Sequence, residues 1–412
     1  MISADGKRMM EEIHTLATMS DTALKTGITR ISWTREYAQG TDFIKTKMLE
    51  AGLEICEDKI GNICACLNGS NPKGSILSGS HLDTVRCGGA FDGVMGVICA
   101  LEVARLLKNN VIKLKNNYKI LAMVEEEGTS TGNVLTGSSY IRKCFENDMS
   151  GVEKLLPDKE IVQSYKEGEK VIVEEYPLLK KEKMVFIEVH NEQGPILEKS
   201  KKEIGIVNRI RGIINFEVNL KGISGHPGTV PMSARCDCSL AAYEICLNAS
   251  DYVKKYYEEE ATITFGKMNL WPGSSNCIPG EVTFSVDIRF GNRTIGEIIE
   301  KKVLELVETQ QKKGIQATYK MHMKTAPTQL DDRLSEVIDN VCEQKNYERM
   351  KLDSGAGHDT INFAKICPSA MIFSPCKEGI SHNVREYVEK KDIENVTNVL
   401  YETILRLDKE IR

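Results

Sequence analysis

The sequence predicts an α/β domain into which a smaller α+β sandwich is inserted, and three observations carry that expectation. The run Gly74-Ser75-Ile76-Leu77-Ser78 passes through Gly79-Ser80-His81-Leu82-Asp83-Thr84 into the glycine-rich Gly88-Gly89-Ala90-Phe91-Asp92-Gly93. Met95, Val97, Ile98, Leu101, Val103 and Leu106 then recur at helical spacing, so the stretch reads strand, loop, helix. Near Arg209 the texture changes, and Asn215 to Gly222 alternates with period two. After Thr328 apolar strands and glycine loops resume. At 412 residues the chain exceeds one ordinary core. The expected boundaries are 1–208 and 329–412 for the α/β domain, with 209–328 inserted.

Taken in order, residues 6–18 and 35–51 have helical periodicity, the second ending at Gly52. Leu53–Cys56 and Asn62–Leu67 flank Lys59-Ile60-Gly61 as a hairpin, and Ser75–Ser80 leads into the first motif. Tyr118–Val124 is nearly all apolar, as a strand buried on both faces requires, and it runs into Glu125-Glu126-Glu127-Gly128. Residues 148–183 are charged and weakly patterned, reading as helices with loops. Val185–Val189 is a strand with His190 at its end, and Ile204–Val207 is another. In the insertion, helices at 241–257 and 295–311 stand among strands at 215–222, 262–266, 282–289 and 316–321, which describes a compact sandwich. A helix at 330–343, the loop Ser354-Gly355-Ala356-Gly357-His358-Asp359, the strand Ala370–Phe373 and a helix from Asp392 complete the chain.

Composition narrows the partners. A net charge of −5 and a pI near 6.0 give no electrostatic case for nucleic acid or an anionic membrane, and Lys180-Lys181-Glu182-Lys183 reads as a solvated face. No apolar run approaches the roughly 20 residues that cross a bilayer. Met1-Ile2-Ser3-Ala4-Asp5 does not open a signal peptide, so a cytoplasmic protein is expected. The 13 cysteines are odd in number and irregularly spaced, with close pairs Cys64-Ala65-Cys66 and Cys236-Asp237-Cys238. They are expected to be reduced and mostly buried.

Histidine is scarce, seven in all, and five of them lie in glycine-rich loops or at strand ends: His81, His190, His226, His358 and His382. In an α/β sheet such positions converge on the crevice where ligands bind. A set of His81, Asp92, Glu127, His190 and His382 suits two divalent ions. His81 and His190 would serve one, Glu127 and His382 the other, with Asp92 between them. Such a pair, about 3.5–4 Å apart, acidifies a water and polarises a carbonyl. Glu126 would take the proton from that water and return it to a leaving nitrogen. Asp83 is expected to accept the other ring N–H of His81. His358-Asp359 is expected to support its loop rather than to ligate. The rival is a nucleophilic serine or cysteine. Only Cys87 and Cys376 lie in loops that also offer a histidine.

These motifs, together with His190-Asn191-Glu192-Gln193-Gly194-Pro195, Gly225-His226-Pro227-Gly228-Thr229-Val230-Pro231-Met232 and Ile380-Ser381-His382, resemble the amidase, hydantoinase and carbamoylase family of binuclear metallohydrolases. They occur in the family's order across nearly the whole chain. The family includes allantoate amidohydrolase, N-carbamoyl-L-amino acid hydrolase and β-ureidopropionase. The resemblance implies a catalytic domain of the aminoacylase and carboxypeptidase metallopeptidase type, with the insertion as a lid and dimerisation domain. It also implies two zinc or manganese ions per subunit, a homodimer, and a small ureido or amidino carboxylate as substrate. Gln193, Asn276 and Arg289 resemble substrate-binding positions, Arg289 pairing with a carboxylate, and His226 resembles the lid histidine that meets the oxyanion.

The chain departs from the family pattern in three places. Gly225 replaces an asparagine before the histidine, Thr129-Ser130-Thr131 replaces Ser-Arg-Phe after Glu-Glu-Gly, and Asn191 replaces an isoleucine. None of these removes a ligand. Glu125-Glu126-Glu127-Gly128 resembles the allantoate branch more than the Asn-Glu-Glu-Gly of carbamoylases. Allantoate is therefore the first expectation and N-carbamoyl amino acids the second. An aminopeptidase or aminoacylase of the wider fold is more distant, with Gln193 and Arg289 against it. A non-catalytic binding protein would be expected to have lost Glu126 or a ligand.

Overall fold

The computed structural model describes residues 2–24, 26–175 and 178–411. Contacts divide the chain into two compact units, Met1–Asn208 with Gln329–Arg412, and Arg209–Thr328. The first unit carries β1 (Glu54–Glu57), β2 (Ile63–Leu67), β3 (Gly74–His81), β4 (Asn117–Met123), β5 (Glu174–Glu175), β6 (Lys183–Asn191) and β7 (Ile204–Ile210). The insertion adds β8 (Gly212–Lys221), β9 (Ala261–Thr264), β10 (Met268–Trp271), β11 (Glu281–Phe290) and β12 (Gln316–Thr325). The chain then returns through β13 (Thr328–Gln329), β14 (Arg349–Ser354) and β15 (Ser369–Ser374).

The larger sheet has ten strands in the order β13-β7-β15-β6-β3-β4-β2-β1-β5, with β14 beside β7. Its centre, β15-β6-β3-β4, is parallel, while β2 and β7 run antiparallel to their neighbours there. Strands of this kind are buried on both faces, and β3 is buried at every residue. The helix Val94–Asn109 follows β3 and is buried nearly all round, packed on the sheet and against helices Gly6–Ala17 and Lys390–Glu410. Its one buried acid, Glu102, is held by Arg8 Nη2 at 2.6 Å, so the charge is not left unpaired.

In the second unit every alternate residue of β8 and β11 is buried: Ile214, Phe216, Val218 and Leu220 face the same core as Val282, Phe284, Val286 and Ile288. Helices Cys238–Tyr257 and Arg293–Lys312 pack on the sheet formed by these strands. Each such side chain contributes about 1.5–3 kcal/mol relative to its exposed state.

Several elements go beyond the sequence expectation. The helix Thr136–Glu146, the strands β5, β13 and β14, and a fifth strand of the sandwich, β10, are all additions. Among the described residues no helix is long and apolar enough to cross a membrane. All thirteen cysteines are free thiols, six buried and seven partly exposed.

Candidate metal centre

The ends of four adjacent parallel strands supply the candidate ligands. β3 ends at His81 and leads to Asp92, β4 leads to Glu126 and Glu127, β6 carries His190, and the loop after β15 carries His382. Neighbouring carboxyl ends of parallel strands open onto one crevice, so residues far apart in sequence meet there.

Asp92 lies at the middle of the group. Its Oδ1 is 3.1 Å from His190 Nε2 and 3.9 Å from His81 Nε2. Its Oδ2 is 3.0 Å from His382 Nε2, which is itself 3.4 Å from Glu127 Oε1. Two sets of ligand atoms, each within 4.8 Å, therefore share Asp92: His81, Asp92 and His190, and Asp92, Glu127 and His382. Glu126 Oε2 lies 3.9 Å from His81 Nε2. Gln193 donates its amide to both Asp92 oxygens, at 3.2 and 3.1 Å.

Backbone carbonyls set the histidine tautomers. His81 Nδ1 is 3.0 Å from the carbonyl oxygen of Asp83, and His190 Nδ1 is 2.9 Å from that of Asn191. A carbonyl only accepts, so each Nδ1 carries a proton and each ring turns its Nε2 toward Asp92.

This corrects the expectation for Asp83, whose carboxylate stays 3.7 Å from His81 Nδ1. The chain leaves the strand at His81, so the Asp83 side chain turns to β4 and accepts Glu126 N–H and Glu127 N–H, both at 3.1 Å. Glu125 also departs from the cluster. It sits at φ +56°, and its Oε1 accepts the backbone N–H groups of Ser130 and Thr131 and closes that turn. Gln193 and His382 likewise lie at positive φ, +57° and +53°, in the left-handed region that residues other than glycine seldom adopt. Gly93, at φ +66°, has no room for a side chain, since a Cβ there would come within 2.4 Å of the His81 ring.

The electrostatics are those of an acid-rich cluster short of positive charge. Burial, and then the neighbouring Glu127, hold the Glu126 carboxyl well above the usual range. Burial and Asp92 push Glu127 up to about 8. Burial raises Asp92 too, but His190 and His382 more than offset it and hold it well below the ordinary value. Burial lowers His81 to about 4, so the ring is neutral and free to donate its lone pair. Burial opposes a charge on His190, but Asp92, 3.1 Å from its Nε2, pushes it up to about 9. Imidazole nitrogens facing crowded carboxylates fit a divalent cation, and this mixture of donors suits zinc or manganese.

The remaining candidates are placed as follows. His358 is buried behind His190, ring centroids 4.6 Å apart, with its Nε2 2.8 Å from Ser354 Oγ. Both oxygens of its neighbour Glu188 are taken, by Ser80 and by Thr360, so this group is saturated as support. Cys376 is buried, its thiol pushed up to about 12 by burial, which is opposite to what a nucleophile needs. Cys87 spends its backbone N–H on Thr29 Oγ1. The other three candidates belong to the second unit. His226 is exposed, and its Nδ1 accepts Gly228 N–H. Asn276 is exposed in the turn before β11, accepting from Ser274 Oγ. Arg289 is on β11, where Asp287 takes Nε at 2.6 Å and Nη2 at 3.2 Å. The fork offered to a substrate carboxylate is thus engaged by a neighbour on its own strand. Sequence reasoning also missed Glu386 and Arg30. Arg30 is a buried guanidinium whose Nε donates to Leu82 O at 2.8 Å, bracing the segment between His81 and Asp83.

A parallel sheet with histidine and carboxylate side chains gathered at its strand ends, interrupted by an α+β unit, defines a hydrolase of the metallopeptidase fold. The chain belongs to Peptidase family M20/M25/M40, which it matches over residues 77–406. N-carbamoyl-L-amino-acid amidohydrolase of Paenarthrobacter aurescens is 30% identical over 98% of this chain and 99% of its own length. Ureidoglycolate hydrolase of Oryza sativa subsp. japonica is 31% identical over 98% and 85%. Allantoate amidohydrolase of Escherichia coli (strain K12) is 31% identical over 89% and 90%. The crystal structure of an amidase of the hydantoinase/carbamoylase family from Burkholderia multivorans superposes with a TM-score of 0.88 at 28% identity, covering 98% of both chains.

Proposed function

We propose that the chain hydrolyses a non-peptide carbon–nitrogen bond of a small ureido or amidino acid, with allantoate the preferred substrate and N-carbamoyl amino acids, β-ureido acids among them, next. The observation that carries the proposal is the Asp92 carboxylate shared by two histidine and carboxylate sets, with buried Glu126 beside them. Within the ureido acids, near-equal identities to relatives named for three different substrates do not rank them. Ureidoglycolate therefore joins the candidates. Allantoate leads on the Glu125-Glu126-Glu127-Gly128 loop, though Glu125 acts there through the turn it closes.

Two divalent ions, held by His81, Asp92 and His190 and by Asp92, Glu127 and His382, would supply polarisation of the scissile carbonyl and acidification of water. Glu126 takes a proton from the attacking water and delivers it to the leaving nitrogen, a role for which its raised proton affinity is suited. Gln193, Asn276 and Arg289 bind the substrate, Arg289 exchanging Asp287 for the substrate carboxylate, and His226 stabilises the oxyanion. The insertion serves as lid and as the dimer contact. Its helix Cys238–Tyr257 supports this by exposing Leu240, Tyr243 and Leu247 at spacings that put them on one face.

The test is ammonia release by protein loaded with Mn²⁺ or Zn²⁺, given allantoate, ureidoglycolate, N-carbamoyl amino acids and a dipeptide in parallel, beside a chelated control. Ammonia from a ureido acid that chelation abolishes is the expected result. Cleavage of the dipeptide alone would overturn the reading.

A further inference from the structure

Asp92 and His382 arrive at the centre on loops almost three hundred residues apart, and one side chain joins those loops. Glu386 is 5% exposed. Its Oε1 accepts the backbone N–H of Phe91 at 2.8 Å and of Asp92 at 3.0 Å, and its Oε2 accepts the hydroxyl of Ser381 at 2.6 Å. All three partners are donors, which an acceptor-only carboxylate satisfies with both oxygens. The Asp92 backbone and the residue before His382 are therefore fixed to the same rigid group. The glycine loop is shaped around it, since a Cβ on Gly89 would lie 2.3 Å from both Cβ and Oε1 of Glu386. The adjacent Tyr387 ring packs edge-on against Phe91, centroids 5.5 Å apart, and pins the same junction a second time.

We propose that Glu386 is a positioning residue which sets the distance between Asp92 and His382 and so the cation affinity of the set they form with Glu127. This rests on the reading of Asp92, Glu127 and His382 as ligands. Glu386 touches none of the reacting atoms; it acts through the Asp92 backbone and Ser381. Partners that orient ligands in this way typically alter metal affinity by roughly 10- to 100-fold when removed.

The experiment is a Mn²⁺ titration of the full-length chain against a competing chelating indicator, for wild type, Glu386→Gln, Glu386→Ala and Ser381→Ala, with thermal unfolding of each metal-free protein. Glu386→Ala should weaken Mn²⁺ binding by roughly 10- to 100-fold. Glu386→Gln keeps an oxygen for the two amides but turns an NH₂ toward Ser381, and Ser381→Ala keeps the carboxylate, so each should weaken binding less. At saturating Mn²⁺ the turnover number should recover toward wild type, which loss of a catalytic residue would not allow. Should Glu386→Ala fail to fold, the other two variants decide. A lowered unfolding temperature with wild-type Mn²⁺ affinity in every folded variant overturns this inference and leaves the proposed function standing. A wild-type chain that takes up neither Mn²⁺ nor Zn²⁺ in the same titration overturns both.

Discussion

At Asp83 the backbone and the side chain serve different candidate site residues: the carbonyl orients His81, while the two carboxylate oxygens hold the amides that carry Glu126 and Glu127. Asp83→Asn keeps the carbonyl but sets an NH₂ group against one of those buried N–H donors. We expect about 1–3 kcal/mol lost in urea unfolding of the metal-free protein, and a fall in turnover as the Glu126 loop shifts. Unchanged stability and rate would show that the two amides find another acceptor. Glu126→Gln separates chemistry from binding. The turnover number should drop about 10²- to 10⁴-fold with metal content retained, and a rate within tenfold of wild type would remove Glu126 from proton transfer. At this scale the sequence displayed His81, Asp92, Glu126, Glu127, His190 and His382, because scarce histidines and clustered acids beside glycines are uncommon outside a site. Glu386 and the inverted role of Asp83 were hidden for a different reason. Both depend on which backbone N–H groups come near a carboxylate, and that is decided by the sheet order.

Among the elements, those with an apolar run or a helical apolar period were legible almost to the residue, as in β3, β4 and the helix Val94–Asn109. The helix Thr136–Glu146 opens Thr-Gly-Ser-Ser, which favours turns and masks the helical spacing of Tyr140, Ile141, Cys144 and Phe145, and β10 is four residues long and ends before Pro272, too short to show a period. The strand β1 carries a prediction that its pattern alone does not suggest. Lys45, on the helix Arg35–Glu50, reaches Glu57 on β1 at 2.8 Å and Glu169, just past the helix Lys159–Gly168, at 2.6 Å, all three side chains being buried. Burial, opposed by Lys45 and reinforced by Glu169, lifts the Glu57 carboxyl from 4.5 to about 7. An acid with a raised folded pKa binds the extra proton in the folded state. Its contribution is therefore complete below about 4.5 and is lost as the pH rises through 7. Between those values stability should fall with a slope of up to about 1.4 kcal/mol per pH unit from this group, and Glu57→Gln should flatten it. Urea midpoints measured from pH 5 to pH 8 test this. Parallel profiles for variant and wild type would show that Glu57 does not titrate there.

For the whole molecule, the informative fact is where the chain leaves the first unit and where it returns. Leu330 N–H donates to Asn208 O at 3.0 Å, so the exit and the re-entry are hydrogen-bonded neighbours. Every candidate ligand, with Glu126 and Glu386, lies in the first unit, whereas His226, Asn276 and Arg289 lie in the second, which has an apolar core of its own. The change of texture near Arg209 and Thr328 was visible because a sandwich alternates with period two while a parallel sheet does not. Replacing 209–328 by a short glycine-serine loop spans a gap already closed by a hydrogen bond, so it should cost little loop-closure entropy. The shortened chain should fold and bind Mn²⁺ with affinity close to that of the full chain. It should stabilise on metal addition by the mass-action amount its affinity dictates, yet turn over no ureido acid. Metal titration followed by thermal unfolding and ammonia assay distinguishes the outcomes. A shortened chain that folds but has lost its metal affinity would mean that the insertion shapes the ligand set itself. One that still releases ammonia would confine substrate recognition to Gln193 and its neighbours and remove His226, Asn276 and Arg289 from the proposed site.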